Sequence, residues 1–294
     1  MSFLALLLSY FLQQKLDLSL SGKFDNAALQ LLRPQQFSLM VKTKGTALVL
    51  VLLISGAYFS LVYAFFFYIE QLFFGVLALA CNVFLLLLLL GQTGFKENLT
   101  FYIESWRRGD FEAAAFKQQV LSGINARRLN DPVNMQNEVC TSILYHNFNR
   151  FFIIIFWFVL AGPAAAVAVR VIDVVSQHSS HQLKISAMWV KKIVEWIPAR
   201  LLALSFALAG DFKGAIKYCL KSFVHINASA QSVLRGAASG ALDNYDMNFV
   251  VDSNMSLDTL ISTGDKGITA IRDLLSRSMA LWLGIFAIVA IFLD

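Results

Sequence analysis

Arg170 and Arg200 each stand at the edge of an apolar run, the first closing Phe151 to Val169 and the second opening Leu202 to Ala209. A guanidinium beside hydrocarbon is costly unless it snorkels to the headgroups, pairs with a carboxylate or binds an anion. Its planar fork suits phosphate or carboxylate, so the two arginines read either as helix anchors or as an anion clamp. Lys191 and Lys192 add positive charge ahead of Arg200, and Asp173, Glu195 and Asp211 are the candidate internal counter-ions. Pro198 bends the chain beside Arg200 and frees backbone groups there. Trp157 and Trp196, in the blocks that carry the two arginines, complete the candidate set.

Other chemistries find little footing. His178 and His181 could share a helical face and grip a metal, but no carboxylate or third ligand lies near them in sequence. Asp243, Asp246, Asp252 and Asp258 supply oxygen ligands without the EF-hand spacing, so Asx turns are the plainer reading. The fragment Gly264-Asp265-Lys266-Gly267 does not fit a phosphate-cradling P-loop, and no G-x-S-x-G elbow occurs. Cys81, Cys140 and Cys219 are far apart and odd in number, which suggests neither a disulfide framework nor a zinc site. We therefore expect no catalytic residue, no cofactor and no metal.

The elements that must position the arginines are membrane helices. With 57% hydrophobic and 15% charged residues over 294 positions, and a mean hydropathy of +0.63, the chain is too apolar for an ordinary soluble domain. The expected fold class is all-α, a multi-pass transmembrane helical protein of about four to five spans with amphipathic cytoplasmic helices. Residues 1–294 read as a single integral membrane domain, with spans at 46–69, 72–90, 151–169 and 279–293 and a short or re-entrant segment at 197–209. The apolar Met1 to Leu12 reads as a retained helix, since it lacks a basic n-region and a cleavage site. Residues 91–150 form a cytoplasmic helical segment, with Asp110 and Asp131-Pro132 as helix starts. Residues 242–267 turn polar and read as a loop.

The formal charge of +5 reflects cationic flanks facing anionic lipid, not nucleic acid, because no aromatic and basic interleaving is present. Lys15, Lys23, Arg33, Lys42 and Lys44 put the N-terminal side in the cytoplasm, and the Glu70-Gln71 turn outside. Simple alternation would then leave the basic segment 170–278 outside, against the positive-inside rule. Either 197–209 enters the membrane and returns the chain, which is the reading favoured here, or Gly162-Pro163 breaks the third span into a hairpin. Asp211 to Val224 is strongly amphipathic, with Lys213, Lys217 and Lys221 on one face; it lies either at the membrane surface or against a core.

Two blocks carry a family pattern: Phe156-Trp157-Phe158-Val159-Leu160-Ala161-Gly162-Pro163 followed by Arg170, and Trp196-Ile197-Pro198-Ala199-Arg200-Leu201 followed by Ala209-Gly210-Asp211. Together they resemble the AmpE family of bacterial inner-membrane proteins, itself similar to the adenosylcobinamide-phosphate synthases (the CobD/CbiB family). The resemblance implies a regulatory or sensory part in β-lactamase induction, hence signal transduction in response to antibiotic, linked to cell-wall peptide recycling and to a cytosolic muropeptide amidase. Expected partners are membrane lipids, a muropeptide or other anionic small molecule, that amidase and a second copy of the chain. The synthases form an amide bond with ATP and a divalent metal. Where they carry an acidic pair ahead of the proline motif this chain has Lys191-Lys192, and Asp173-Val174-Val175-Ser176 replaces their Asn-Thr-Leu-Asp. Lysine in place of carboxylate would repel a metal, so a divergent amide-forming enzyme is the alternative and not the first reading.

Overall fold

The computed structural model describes residues 2–16, 24, 25, 28, 30, 43–72, 75–90, 94–123, 132–179, 181–225, 227–242 and 256–293. Among the described residues the elements are all helices: α1 (Ser2–Leu16), α2 (Lys44–Leu72), α3 (Val76–Leu90), α4 (Phe95–Arg107), α5 (Phe111–Ser122), α6 (Pro132–Asn147), α7 (Ile153–His178), α8 (His181–Ala209), α9 (Phe212–Val224), α10 (Ala230–Ala241) and α11 (Leu257–Leu293). A π-helical turn, Phe148–Phe152, joins α6 to α7 without a break. The chain divides into two compact units where the sequence reading has one domain. Unit 1 comprises Met1–Thr93, Asn149–Pro198 and Leu283–Asp294, and unit 2 comprises Gly94–Phe148 and Ala199–Trp282.

By length and composition, three helical runs among the described residues could cross a membrane: Gly45–Ile69, Val76–Arg107 and Pro132–His178. The all-α membrane fold stands. In unit 1, α2 leaves Leu53, Leu61 and Phe65 exposed, as a lipid-facing helix does. It packs along α7, while α1 packs on α3, where Gln13 Nε2 donates to Leu90 O at 2.7 Å. Glu70 and Gln71 continue α2, so the turn expected there falls beyond Leu72. The expected span 279–293 is the end of α11, which begins at Leu257; the polar loop expected through Gly267 therefore stops short of it. Residues 243–255, with Asp243, Asp246 and Asp252, lie outside the described residues, as does the proposed cap Asp131. Asp110 does cap α5, accepting from Ala113 N at 3.0 Å, and Pro132 is the first residue of α6.

The largest departure from expectation lies in α7. Gly162 has φ 81° and ψ −176°, a conformation essentially restricted to glycine, and Pro163 follows it without an N–H to donate. The two arms on either side lie against each other. Arg150 Nη1 and Arg170 Nη2 both reach Asp25, at 3.3 and 2.6 Å, and one small cavity is lined by Asn149, Ile153 and Ile154 from one arm and Val169, Arg170 and Asp173 from the other. On an unbroken helix residues 150 and 170 would stand about 30 Å apart, beyond any shared contact. The chain therefore folds back at Gly162, so the run Pro132–His178 is not one continuous helix. The break in the chain is thus at Gly162, while 197–209 is helical, the C-terminal part of the 29-residue α8.

In unit 2, α9 packs on α10, α4 on α5, and α6 on both α5 and α10. Trp106 is buried and donates to Ile261 O at 3.2 Å, while Gln136 links Tyr102 OH (2.8 Å) to Gly264 O (2.6 Å). Every polar atom of that knot that could be left dry has a partner, as burial requires.

Alanine at Gly162 should test the fold-back directly. We expect Gly162→Ala to lose about 1–3 kcal/mol through forced backbone strain, whereas Gly56→Ala in α2, where no atom lies within 4 Å of the new methyl, should be neutral or slightly stabilising. Denaturant titrations in detergent compare the two.

Candidate functional site

At the open end of the α7 hairpin, β-branched and aliphatic side chains pack the arms together and leave one guanidinium among them. Arg170 is 1% exposed. Its Nη1 donates to Asp173 Oδ2 at 2.8 Å, one turn along, and its Nη2 is shared between both oxygens of Asp25 at 2.6 Å each. Asp173 in turn accepts from Lys191 Nζ at 2.6 Å and from Gln177 Nε2 at 2.9 Å. Lys191 Nζ also stands 3.6 Å from Glu195, one turn on in α8. Arg150 closes the set on Asp25.

Among the described residues, three cations, Arg150, Arg170 and Lys191, thus face three carboxylates, Asp25, Asp173 and Glu195, in equal number. Isolated, any one of them would be strongly disfavoured in so dry a place; matched and hydrogen-bonded, they persist. Arg170 Nε is buried without an acceptor among the described residues, and Arg170 lines the cavity, which has room for about one water molecule. Asp25 is the outermost partner of this guanidinium, its side chain 17% exposed. Removing its charge would leave three cations against two carboxylates, a seat for one incoming anion.

The sequence-chosen residues separate. Arg170, Asp173, Lys191 and Glu195 come together here, and Trp157 Nε1 donates to Val194 O at 3.4 Å beside them. Lys192 and Trp196 are half-buried, and Pro198 is buried inside α8. Arg200 belongs to unit 2 and has other work. Buried to 1%, it donates from Nε and Nη2 to Ser222 O (3.2 and 2.9 Å) and from Nη2 to His225 O (3.3 Å), gripping the C-terminal end of α9 where carbonyls lack helical partners. Asp211, offered as a counter-ion, caps the other end of the same helix, accepting from Lys213 N at 3.2 Å and Gly214 N at 2.9 Å. Each arginine thus has its own unit and its own acceptors.

Asp25 and Arg150 were not among the sequence-chosen residues. Asp25 lies 145 positions from Arg170, and one sequence alone carries no signal of that pairing. His178 is at the end of α7 with its Nδ1 3.2 Å from Val174 O, and among the described residues no group of three His, Cys, Asp or Glu side chains could hold a metal ion.

Membrane-compatible helices, a folded-back apolar hairpin and a neutral ion network at its mouth define an all-α membrane protein whose polar centre is built to hold charge. Residues 30–252 match the family of regulatory signalling modulator protein AmpE, and the chain belongs to that family. Comparisons with curated proteins and with solved structures gave no match.

Two substitutions separate the jobs of the arginines. Asp25→Asn should cost about 3–5 kcal/mol by stranding buried charge, and Arg170→Met added to it should recover part of the loss, a coupling read from a double-mutant cycle. Arg200→Met should cost about 1.5–3 kcal/mol and raise amide hydrogen exchange at the end of α9 while leaving unit 1 protected.

Proposed function

We propose that the chain is a signalling modulator of β-lactamase induction in the bacterial inner membrane, and that it senses cell-wall peptides through an anionic group received at Arg170. The observation that carries this reading is Asp25: a carboxylate from a distant stretch of chain occupies the outer side of a buried guanidinium. An incoming carboxylate or phosphate would meet the same Nη2 and, from the side, Arg150 and Lys191. Exchange of one anion for another preserves the charge balance, so the switch costs little in net electrostatics while it releases the Asp25 carboxylate. Lys192, next to this network on α8, adds positive charge to its approach. A cytosolic muropeptide amidase, acting on the same ligand class, is the partner that would work beside it.

The fold-back at Gly162 supports a cytoplasmic orientation. A hairpin that enters and leaves on one face returns the basic segments 96–150 and 184–277 to the same side, which the positive-inside rule makes the cytoplasm. The N-terminal side lies there too, and so does the mouth of the hairpin with Arg170. The amide-forming alternative draws less support, since the carboxylates a magnesium nucleotide would need, Asp173 and Glu195, both face Lys191.

Two experiments decide. Phosphatase reporters fused after Asn147 and after Ser186 should both report the cytoplasm; opposite sides would refute the orientation. In cells, Asp25→Asn should shift induction to lower inducer, and Arg170→Gln should abolish the response. Unchanged induction in both variants, each shown to be inserted, would remove the anion seat.

A further inference from the structure

Among the described residues, helix α9 is held in unit 2 along one narrow strip and at its two ends. Ala215 and Cys219 are buried, and the backbone of Gly214 meets that of Gly240 in α10 so closely that a Cβ on Gly240 would lie 2.6 Å from Gly214 O. Tyr218 packs over Gly236, where a Cβ would stand 3.1 Å from its ring. Asp211 fixes the first turn and Arg200 the last. The helix cannot roll.

At 100° per residue, the positions leaving that strip run in a fixed order around the helix: Phe212, Phe223, Ile216 and Leu220, then Lys213, Lys217 and Lys221. The sequence pattern treats the first group as one apolar face with Ala215 and Cys219, but α10 covers only the edge of it. Phe212 is 55% exposed, Leu220 61% and Phe223 40%. The three lysines are exposed at one-turn spacing, Phe212–Val224 contains no acidic residue, and no ion pair joins these lysines to a described residue.

We propose that α9 docks on the anionic lipid surface of the membrane that holds the chain, with Phe212, Leu220 and Phe223 in the acyl boundary and Lys213, Lys217 and Lys221 against the phosphates. The ordering of the strips is what selects this occupant. An apolar row beside a purely cationic row matches a medium that is itself layered, hydrocarbon at one depth and negative charge at the next. A second copy of the helix would bring the same charge and no acidic row to meet it, and the chain is already tethered to a bilayer by its apolar helices, so docking needs no separate recruitment.

The test uses full-length protein in nanodiscs of phosphatidylcholine alone or with phosphatidylglycerol. An environment-sensitive fluorophore is placed at Leu220→Cys in a Cys81→Ala background. Cys140 and Cys219 are buried, and burial pushes the Cys219 thiol up to about 11, so both stay unreactive at neutral pH. With phosphatidylglycerol, acrylamide quenching should fall roughly fivefold to tenfold and quenching by brominated acyl chains should appear. Both changes should reverse in Lys213→Gln/Lys217→Gln/Lys221→Gln and at high salt, and be intermediate in Lys217→Gln. Equal acrylamide quenching in the two lipids would overturn the proposal. So would shielding that is already complete in detergent and rises with protein concentration, which would assign the face to another copy of the chain.

Discussion

Burying a guanidinium is the constraint around which the membrane unit is organised. Arg170 is nearly inaccessible to solvent, so acceptors had to be brought to its guanidinium. One comes from its own helix one turn away, and the other from a separate part of the chain altogether. Each acceptor then needs its own balance, which draws in Arg150, Gln177, Lys191 and Glu195. The fold-back at Gly162 makes this possible, because only antiparallel arms put residues 150 and 170 within reach of the same carboxylate. A glycine at φ 81° and a proline beside it are thus the local cause of a long-range electrostatic arrangement.

The second arginine shows the same chemistry put to a different end. Arg200 is as deeply buried as Arg170, but it meets backbone carbonyls and no carboxylate. A cation placed at the C-terminal end of a helix satisfies unpaired carbonyls and complements the helix dipole. Paired with the Asp211 cap, it fixes α9 at both ends, and the glycines at 214 and 240 let α10 approach from the side. That rigidity determines which of the amphipathic residues are covered and which remain outside.

Many local features were legible in the chain. The apolar runs, the break at Gly162-Pro163, the Asp110 cap and the Pro132 start follow from turn chemistry and hydrogen-bond accounting within a few residues. The family blocks around Arg170 and Arg200 led to the family that residues 30–252 match. What adjacent residues do not settle is choice among locally sound options, such as whether Gly162-Pro163 breaks the chain and whether Asp211 acts as cap or counter-ion.

Sequence by itself therefore determined that this is an all-α membrane protein with two costly arginines, since composition, periodicity and capping are short-range properties written in adjacent residues. Only the tertiary structure decided what those arginines do. Their partners, Asp25 for one and the carbonyls of Ser222 and His225 for the other, lie 145, 22 and 25 positions away. Charge compensation in a dry interior depends on distance in space, and no local pattern of residue types encodes that distance.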